Sequence, residues 1–600
     1  MKSFLTFSLI FFSLFTFSQS KKETIDKRLV GMDAELQKVL ETWKAPGFAV
    51  AVIEKNKIVY AKGFGYRDYE NKIPVTPHTL FAIGSCTKAF TASILGMLRE
   101  ENKIDFNESP SKYLPELKFF NEEMNSAIIV KDLMSHRTGL PRHDYSWYLF
   151  PTESTDSLIQ RIAYQEPFTG VREKWYYNNF MFLTQGSIAE KLTGKSWAEN
   201  VSERIFKPLG MNRSNFSIDE LNKQQDKAFG YQLEKETTIK KMDYYNIAAM
   251  SPAGSINSSV NEMANWVKTW INGGKFNGKE LLPAAYVNEA MSSQMIVSPG
   301  LPEKEHTDVH LSNYGYGWFL ASYKGHYRVE HGGNIDGFSA STSFFPSDSL
   351  GIIVLVNQNG SAVPGVVRNI ISDRMLRVSI SDWNKELKGR RDKALKEQEE
   401  AQKTKSSSKV KGTKPSHIMQ EFSGKYFNPA YGTFNLVVER DSLFAKFKLT
   451  KLWLRHYHYD VFESFEAKTK VDTTETSQLL LNFSTNEGGE ISKVTIKIEP
   501  ALEPIEFKRT PIKIDVDKAV LEKYVGDYEL GGMIAKFYLK GGETLFLFVP
   551  GQPEYELIAT GKDKFSIKSL EGFKIEFVGD KTITDAMFIQ PNGTFKGKKK

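Results

Sequence analysis

Phe81-Ala-Ile-Gly84-Ser85-Cys86-Thr87-Lys88-Ala89, running on to Leu98, is the stretch on which the reading of this 600-residue chain turns. A short apolar run reaches a glycine, a helical pattern opens, and Ser85 and Lys88 stand three residues apart at its head. Residues at that spacing share a helix face, so the lysine amine sits beside the serine hydroxyl. The N-terminus of a helix also favours negative charge developing on that oxygen. A serine needs such a neighbouring base, because its hydroxyl alone is a weak nucleophile. The pattern Ser-x-x-Lys also occurs at Ser18, Ser109 and Ser406, but only at Ser85 does it follow an apolar run and open a helix. Taken alone, Ser85 reads as well as an ordinary helix start with a solvated lysine.

Two further segments shift that balance. Trp175-Tyr176-Tyr177-Asn178-Asn179 heads a helical stretch that ends at Gly194. Tyr177 offers a phenol for proton transfer and Asn179 an amide to hold a substrate carbonyl. With a reference pKa near ~10, Tyr177 needs a nearby cation before it can act as a base, and Lys88 is the candidate. Packing in the core is the plainer reading of these tyrosines, and the one adopted for Tyr176. The third segment, Tyr327-Arg-Val-Glu-His331-Gly332-Gly333-Asn334, is an alternating strand that runs into glycines. Without side chains, glycines let the backbone come close to a ligand. His331 can donate a hydrogen bond or share the proton relay, with a pKa expected near working pH.

In the order Ser-x-x-Lys, Tyr-x-Asn, His-x-Gly, the chain resembles the serine β-lactamase-like hydrolases: class C β-lactamases, DD-peptidases, D-aminopeptidases and related esterases. Pro46 to Ile53 with Ile58 to Gly65 resembles that family's opening hairpin. Val130 to Pro141 resembles the segment between its first two motifs, and Ser251 to Asn257 with Met263 to Trp266 the loop and helix before the third. The resemblance covers roughly residues 25 to 380. It implies an α+β fold, an antiparallel sheet with flanking helices beside a helical subdomain, and a cleft between them. It further implies that Ser85 is acylated, that Lys88 and Tyr177 carry its proton to the leaving group as a coupled pair, and that Asn179 orients the substrate. The backbone amides of Ser85 and of Asn334, next to Gly333, would form the oxyanion hole. The β-lactamases of the group usually carry lysine where His331 stands. Histidine weakens the anchor for a β-lactam carboxylate, so an ester or peptide bond is the expected target.

Outside this region the organisation reads from composition. Lys2, the apolar stretch Leu5 to Phe17 and the small Ser18 and Ser20 suggest an export signal over residues 1–20, hence a periplasmic or secreted protein without a lipid anchor or membrane span. The hydrolase-like domain is placed at 21–384 and a basic flexible linker, helical in its first half, at 385–414, where eleven Lys/Arg face five Asp/Glu. Two β-barrel-like modules follow at 415–512 and 513–600. Their starts repeat, Phe422-Ser-Gly-Lys-Tyr426 recurring as Tyr524-Val-Gly-Asp-Tyr528. Two barrels, or one barrel of two halves, satisfy the alternation equally. The repeats resemble, more weakly, the lipocalin-like modules often appended to such hydrolases.

The formal charge of +7 is concentrated in the linker and in Lys596, Lys598, Lys599 and Lys600, so it marks solvated segments and gives no reason to expect nucleic acid. Cys86, the single cysteine, excludes an internal disulfide framework and a cysteine-rich zinc site. His136, and His143 in Arg142-His143-Asp144, read as loop hydrogen-bonding residues, and His456 and His458 as sheet residues, so no metal is assigned. No Gly-x-Ser-x-Gly elbow and no phosphate-cradling motif is present, and no cofactor is expected. The expected partner is a small-molecule or peptide substrate, cell-wall fragments included, with oligomers through the C-terminal modules. The competing class is a binding protein for peptides or cell-wall fragments that turns nothing over.

Overall fold

The computed structural model describes residues 26–600 apart from 245, 299, 406–408, 468–478, 511–514, 569, 571, 580, 581 and 591. The expected export signal, including Ser18, and the linker residue Ser406 lie outside the described residues.

Gly47–Glu54 is the pivot of the first domain. It pairs antiparallel with Lys57–Asp68 on one side and with Leu350–Val356 on the other, so segments 300 residues apart in sequence meet at the sheet centre. From Leu350–Val356 the sheet continues through Phe338–Phe345, His326–Ile335, Phe319–Tyr323 and Val309–Tyr314 to Met295–Ser298, nine strands in all, with Ile73–Pro74 at the far edge. Phe48, Val50 and Val52 pack with Met32, Leu36 and Val39 of one helix and Val363, Val366 and Val367 of another. Ala49, Ala51 and Ile53 face the opposite way, towards Trp266 and Trp270 of helix Val260–Ile271. Both faces are covered, which is why residues 48 to 53 are apolar at every position instead of alternating.

The helical subdomain is built around Lys88–Glu100 and Phe180–Thr193, which pack on each other. Every residue from Lys88 to Leu98 is buried, so the subdomain's core lies directly behind the Ser85 turn.

The segment expected as a flexible linker, helical in its first half, is helix over Trp383–Lys405. Its first half is fastened to the domain: Trp383 is buried with its Nε1 on Asp373, and Arg390 and Arg391 pair with Glu303 and Glu236. Ion pairs at helical spacing, Lys388 with Asp392 and Glu386 with Arg390, support the same half, and Lys393 with Glu397 continues them along the helix. Charge composition signals a solvated surface, and a solvated helix meets that description as well as a coil does.

Two closed eight-stranded barrels follow, from Gly424–Asn428 to Ile505–Thr510 and from Gly526–Leu530 to Gly593–Lys599. The repeated aromatic-x-Gly-x-Tyr start has one structural meaning in both. The Tyr426 hydroxyl donates to Phe422 O (2.8 Å) and the Tyr528 hydroxyl to Tyr524 O (3.1 Å), and all four rings enter the barrel cores. Each pair ties the lead-in turn to the first strand.

Candidate active site

Gly84–Thr87 forms a single tight turn that leads into helix Lys88–Glu100, and it carries Ser85 into the cleft. Gly84 holds φ at +52°, and a β-carbon there would stand 3.0 Å from the Asn334 amide nitrogen. At Gly333 a β-carbon would fall 1.9 Å from Ile83 O and 3.1 Å from Ser85 N. The glycines are therefore required by close approach: the strand end 332–334 lies directly against the backbone of residues 83–85. The Asn334 side chain turns away, its Oδ1 accepting from Ser339 Oγ (3.0 Å) and Gly360 N (2.7 Å). Only its backbone is left towards Ser85.

Lys88 is fully buried, and its Nζ has three neighbours: Asn179 Oδ1 (2.7 Å), Ala253 O (2.7 Å) and Ser85 Oγ (3.1 Å). Burial pushes its pKa well below the usual lysine value; the Asp144 carboxylate opposes this and the Arg142 guanidinium adds to it. Asn179 Oδ1 and Ala253 O can only accept. A neutral amine therefore spends its two N–H bonds on them, and its lone pair is left for the Ser85 hydroxyl.

Tyr177 stands on the other side of Lys88, its ring centroid 4.7 Å from Nζ, with the Arg142 guanidinium 4.9 Å from the same ring. Its hydroxyl is buried and makes no hydrogen bond of good geometry. Burial raises its pKa above the ordinary tyrosine value, outweighing the opposite pull of Ser85 and Arg142. The expectation that Lys88 would lower it is corrected here, because burial of the phenol is the largest influence and acts in the opposite sense. His331 is corrected in the same way. It is buried with Nε2 2.9 Å from the Tyr314 hydroxyl and Nδ1 2.6 Å from Gly332 O, and burial, followed by the nearby Lys88, pushes its pKa down to about 3. It is a neutral ring with both nitrogens engaged, not a relay titrating at working pH. Asn179 lines the cleft beside Ser85, with Oδ1 on Lys88 and Nδ2 donating to Asp144 Oδ1 (2.8 Å). That amide holds Lys88 first and faces the cleft second. Cys86 is a packing residue: its thiol donates to His331 O (3.2 Å), and burial raises its pKa to about 11.

Ser85 lies where two cavities meet. One, about 480 Å³, runs between Asn179, Trp147, Tyr148, Met242 and Ile247; the other, about 880 Å³, lies along Trp175, Tyr177, His331 and Gly333. Ser85, Lys88, Tyr177, Asn179, His331, Gly333 and Asn334 thus come together from three separate segments. Sequence reasoning missed Asp144, Ala253 and the first barrel's Ile498, Glu499 and Pro500, which line the smaller cavity. Ala253 acts through its carbonyl, which no side-chain pattern can announce. Asp144 stood in view within Arg142-His143-Asp144, weighed only as part of a metal site.

Residues 32–372 match the Beta-lactamase family. The chain belongs to that family. With it the chain is placed among the serine hydrolases. Residues 408–509, which hold the first barrel, match a domain of unknown function (DUF3471). The unguisins hydrolase ungD′ of Aspergillus campestris is 28% identical over 432 residues, 68% of this chain and 78% of that protein. Protein flp of Staphylococcus aureus is 25% identical over 341 residues, 56% of this chain and 65% of flp. Among solved structures, the octameric penicillin-binding protein homologue from Pyrococcus abyssi superposes with a TM-score of 0.52 at 22% identity, covering 80% of this chain and 99% of that one, a likeness of fold.

Proposed function

We propose that the protein is an exported hydrolase that works through an acyl-enzyme on Ser85 and cleaves an amide or ester, in a peptide, a D-amino-acid-containing peptide or a small ester. The observation that carries this reading is the disposition of Lys88, a desolvated amine whose two fixed acceptors leave its lone pair 3.1 Å from Ser85 Oγ. Lys88 takes the Ser85 proton as Oγ attacks the carbonyl carbon. The developing oxyanion is received by the amides of Ser85 and Asn334, fixed donors aimed at the charge as it forms. Tyr177, still protonated at neutral pH, hands a proton to the departing amine or alcohol and is recharged from Lys88. Water then attacks the acyl-enzyme and regenerates Ser85. Cell-wall fragments are included among the substrates, and the barrels offer the surfaces for oligomer formation in the periplasm or outside the cell.

A neutral His331 with both nitrogens engaged supplies no standing cation for a β-lactam carboxylate. The expected result is faint or no turnover of a chromogenic cephalosporin, and clear turnover within a panel of p-nitrophenyl esters, D-amino-acid amides and peptidoglycan stem peptides. Rapid cephalosporin turnover with an inert panel would overturn this substrate class.

A further inference from the structure

The first barrel grips the hydrolase domain through residues 143–150, and the same segment carries Asp144. Phe150 is inserted into the barrel core, stacked on Phe507 (5.6 Å between centroids) and edge-on to Phe447 (5.3 Å). Burying such a ring contributes about 1.5–3 kcal/mol to holding the segment. The barrel's Ala430 O accepts from Ser146 Oγ (2.5 Å), and Glu499 Oε2 accepts from His143 N (2.8 Å). The imidazole of His143 bridges the two domains, Nδ1 2.8 Å from the Tyr431 hydroxyl and Nε2 2.9 Å from Glu166 O. A carbonyl can only accept, so Nε2 carries the proton and Nδ1 accepts from Tyr431. Burial keeps the ring neutral, its pKa down to about 4, as that arrangement requires.

Held in this way, Asp144 accepts from Asn179 Nδ2 (2.8 Å), and Asn179 in turn accepts from Lys88 Nζ (2.7 Å). The carboxylate fixes which way the Asn179 amide faces. With an acceptor at Nδ2, Oδ1 must point to the amine. Asp144 is itself fastened by Arg142 Nε (2.6 Å) and Trp147 Nε1 (3.0 Å). The groups facing Lys88 are Asp144, which raises its pKa, Arg142, which lowers it, and Cys86, together with the Tyr177 ring and the neutral His136 and His331.

We propose that the first barrel is a working part of the active site: by clamping residues 143–150 it places Asp144, and Asp144 is the positioning residue that, through Asn179, holds Lys88 against Ser85. The proposal rests on the serine-hydrolase reading above. It goes further in giving the barrel a share in acylation, carried by the chain of contacts from Tyr431 and Glu499 through His143 and Asp144 to Asn179 and Lys88.

The test is the rate of Ser85 labelling by a fluorophosphonate as a function of pH, on the full chain, with circular dichroism and a thermal melt as fold controls. Asp144→Asn keeps the shape and removes the charge. Its labelling should be slower by about 10-fold or more on the plateau, the scale of a misplaced catalytic group. Its rising limb should move to lower pH, because the anion that favoured protonated Lys88 is gone. A merely structural defect would slow labelling and leave the limb in place. The double variant Phe150→Ala with Tyr431→Phe, one change on each side of the clamp, should change both quantities in the same directions. Tyr431→Phe alone, which removes one hydroxyl, should slow labelling by about 3- to 10-fold, and it decides the matter if the double variant unfolds. Folded clamp variants that label at the wild-type rate, or an Asp144→Asn variant with an unmoved limb, would overturn the proposal. Absence of labelling on wild-type Ser85 would instead overturn the hydrolase reading beneath it.

Discussion

Lys88→Met is expected to slow acylation of Ser85 by about 10³-fold at pH 8, within the range of about 10²–10⁴ that a positioned general base supplies. The side chains are of similar length, so the loss isolates the lone pair, and single-turnover release of p-nitrophenol measures it directly. In the wild type the acylation rate should rise as pH passes upward through the lowered pKa of Lys88 and then stay flat, because the pKa of Tyr177 lies above the usual tyrosine value. In Lys88→Met that rising limb should disappear. Lys88→Arg should give no rescue, since a guanidinium stays protonated and has no pair to offer. An arginine variant of near wild-type rate would show that the positive charge, not the lone pair, does the work at this position.

Ser85→Ala has the larger effect on turnover. Steady-state hydrolysis of the best panel substrate should fall by about 10⁵–10⁶-fold, towards the background rate, with substrate binding by calorimetry largely retained. The cleft that binds substrate is formed by other residues, among them Asn179, Trp147 and Met242, which the substitution leaves in place. Turnover within about 10-fold of wild type would require a different nucleophile. Cys86, the adjacent thiol, is a poor candidate, because it is buried with its pKa raised to about 11 and its Sγ on His331 O.

Much of this site was legible because its motifs are local. Three-residue spacing on a helix brings Lys88 to Ser85, and a strand ending in glycines is suited to lie against another backbone, as Gly333 does against Ile83. The central strands were legible for a similar reason, since residues 48 to 53 are apolar without interruption only where a sheet is covered twice. The electrostatics could not be read in the same way. Whether Lys88 is charged depends on its complete burial under segments 91 and 165 residues distant, and the same burial reverses the expected behaviour of Tyr177 and His331. The reference pKa of a residue type gives no account of the low-dielectric surroundings that the fold supplies.

The C-terminal barrels show the same division. The repeat at Phe422 and Tyr524 was visible, because each start carries its own tyrosine bond within five residues. Closure into two barrels depends on Lys425 meeting Thr510 and Tyr528 meeting Lys599, pairings that alternation along a strand does not specify. The clamp on residues 143–150 was still further from view. Phe150 and His143 look ordinary in their own segment and gain their meaning from Tyr431, Phe507 and Glu499 more than 280 residues away.

The central claim, that Ser85 is the activated nucleophile of this cleft, is tested most directly by treating the folded protein with a fluorophosphonate, digesting it and reading the mass of the Ser85 peptide. The account predicts one adduct on that peptide, formed faster as pH rises and absent in Ser85→Ala. An unmodified Ser85 peptide from folded protein, or an adduct that persists in Ser85→Ala, would contradict it.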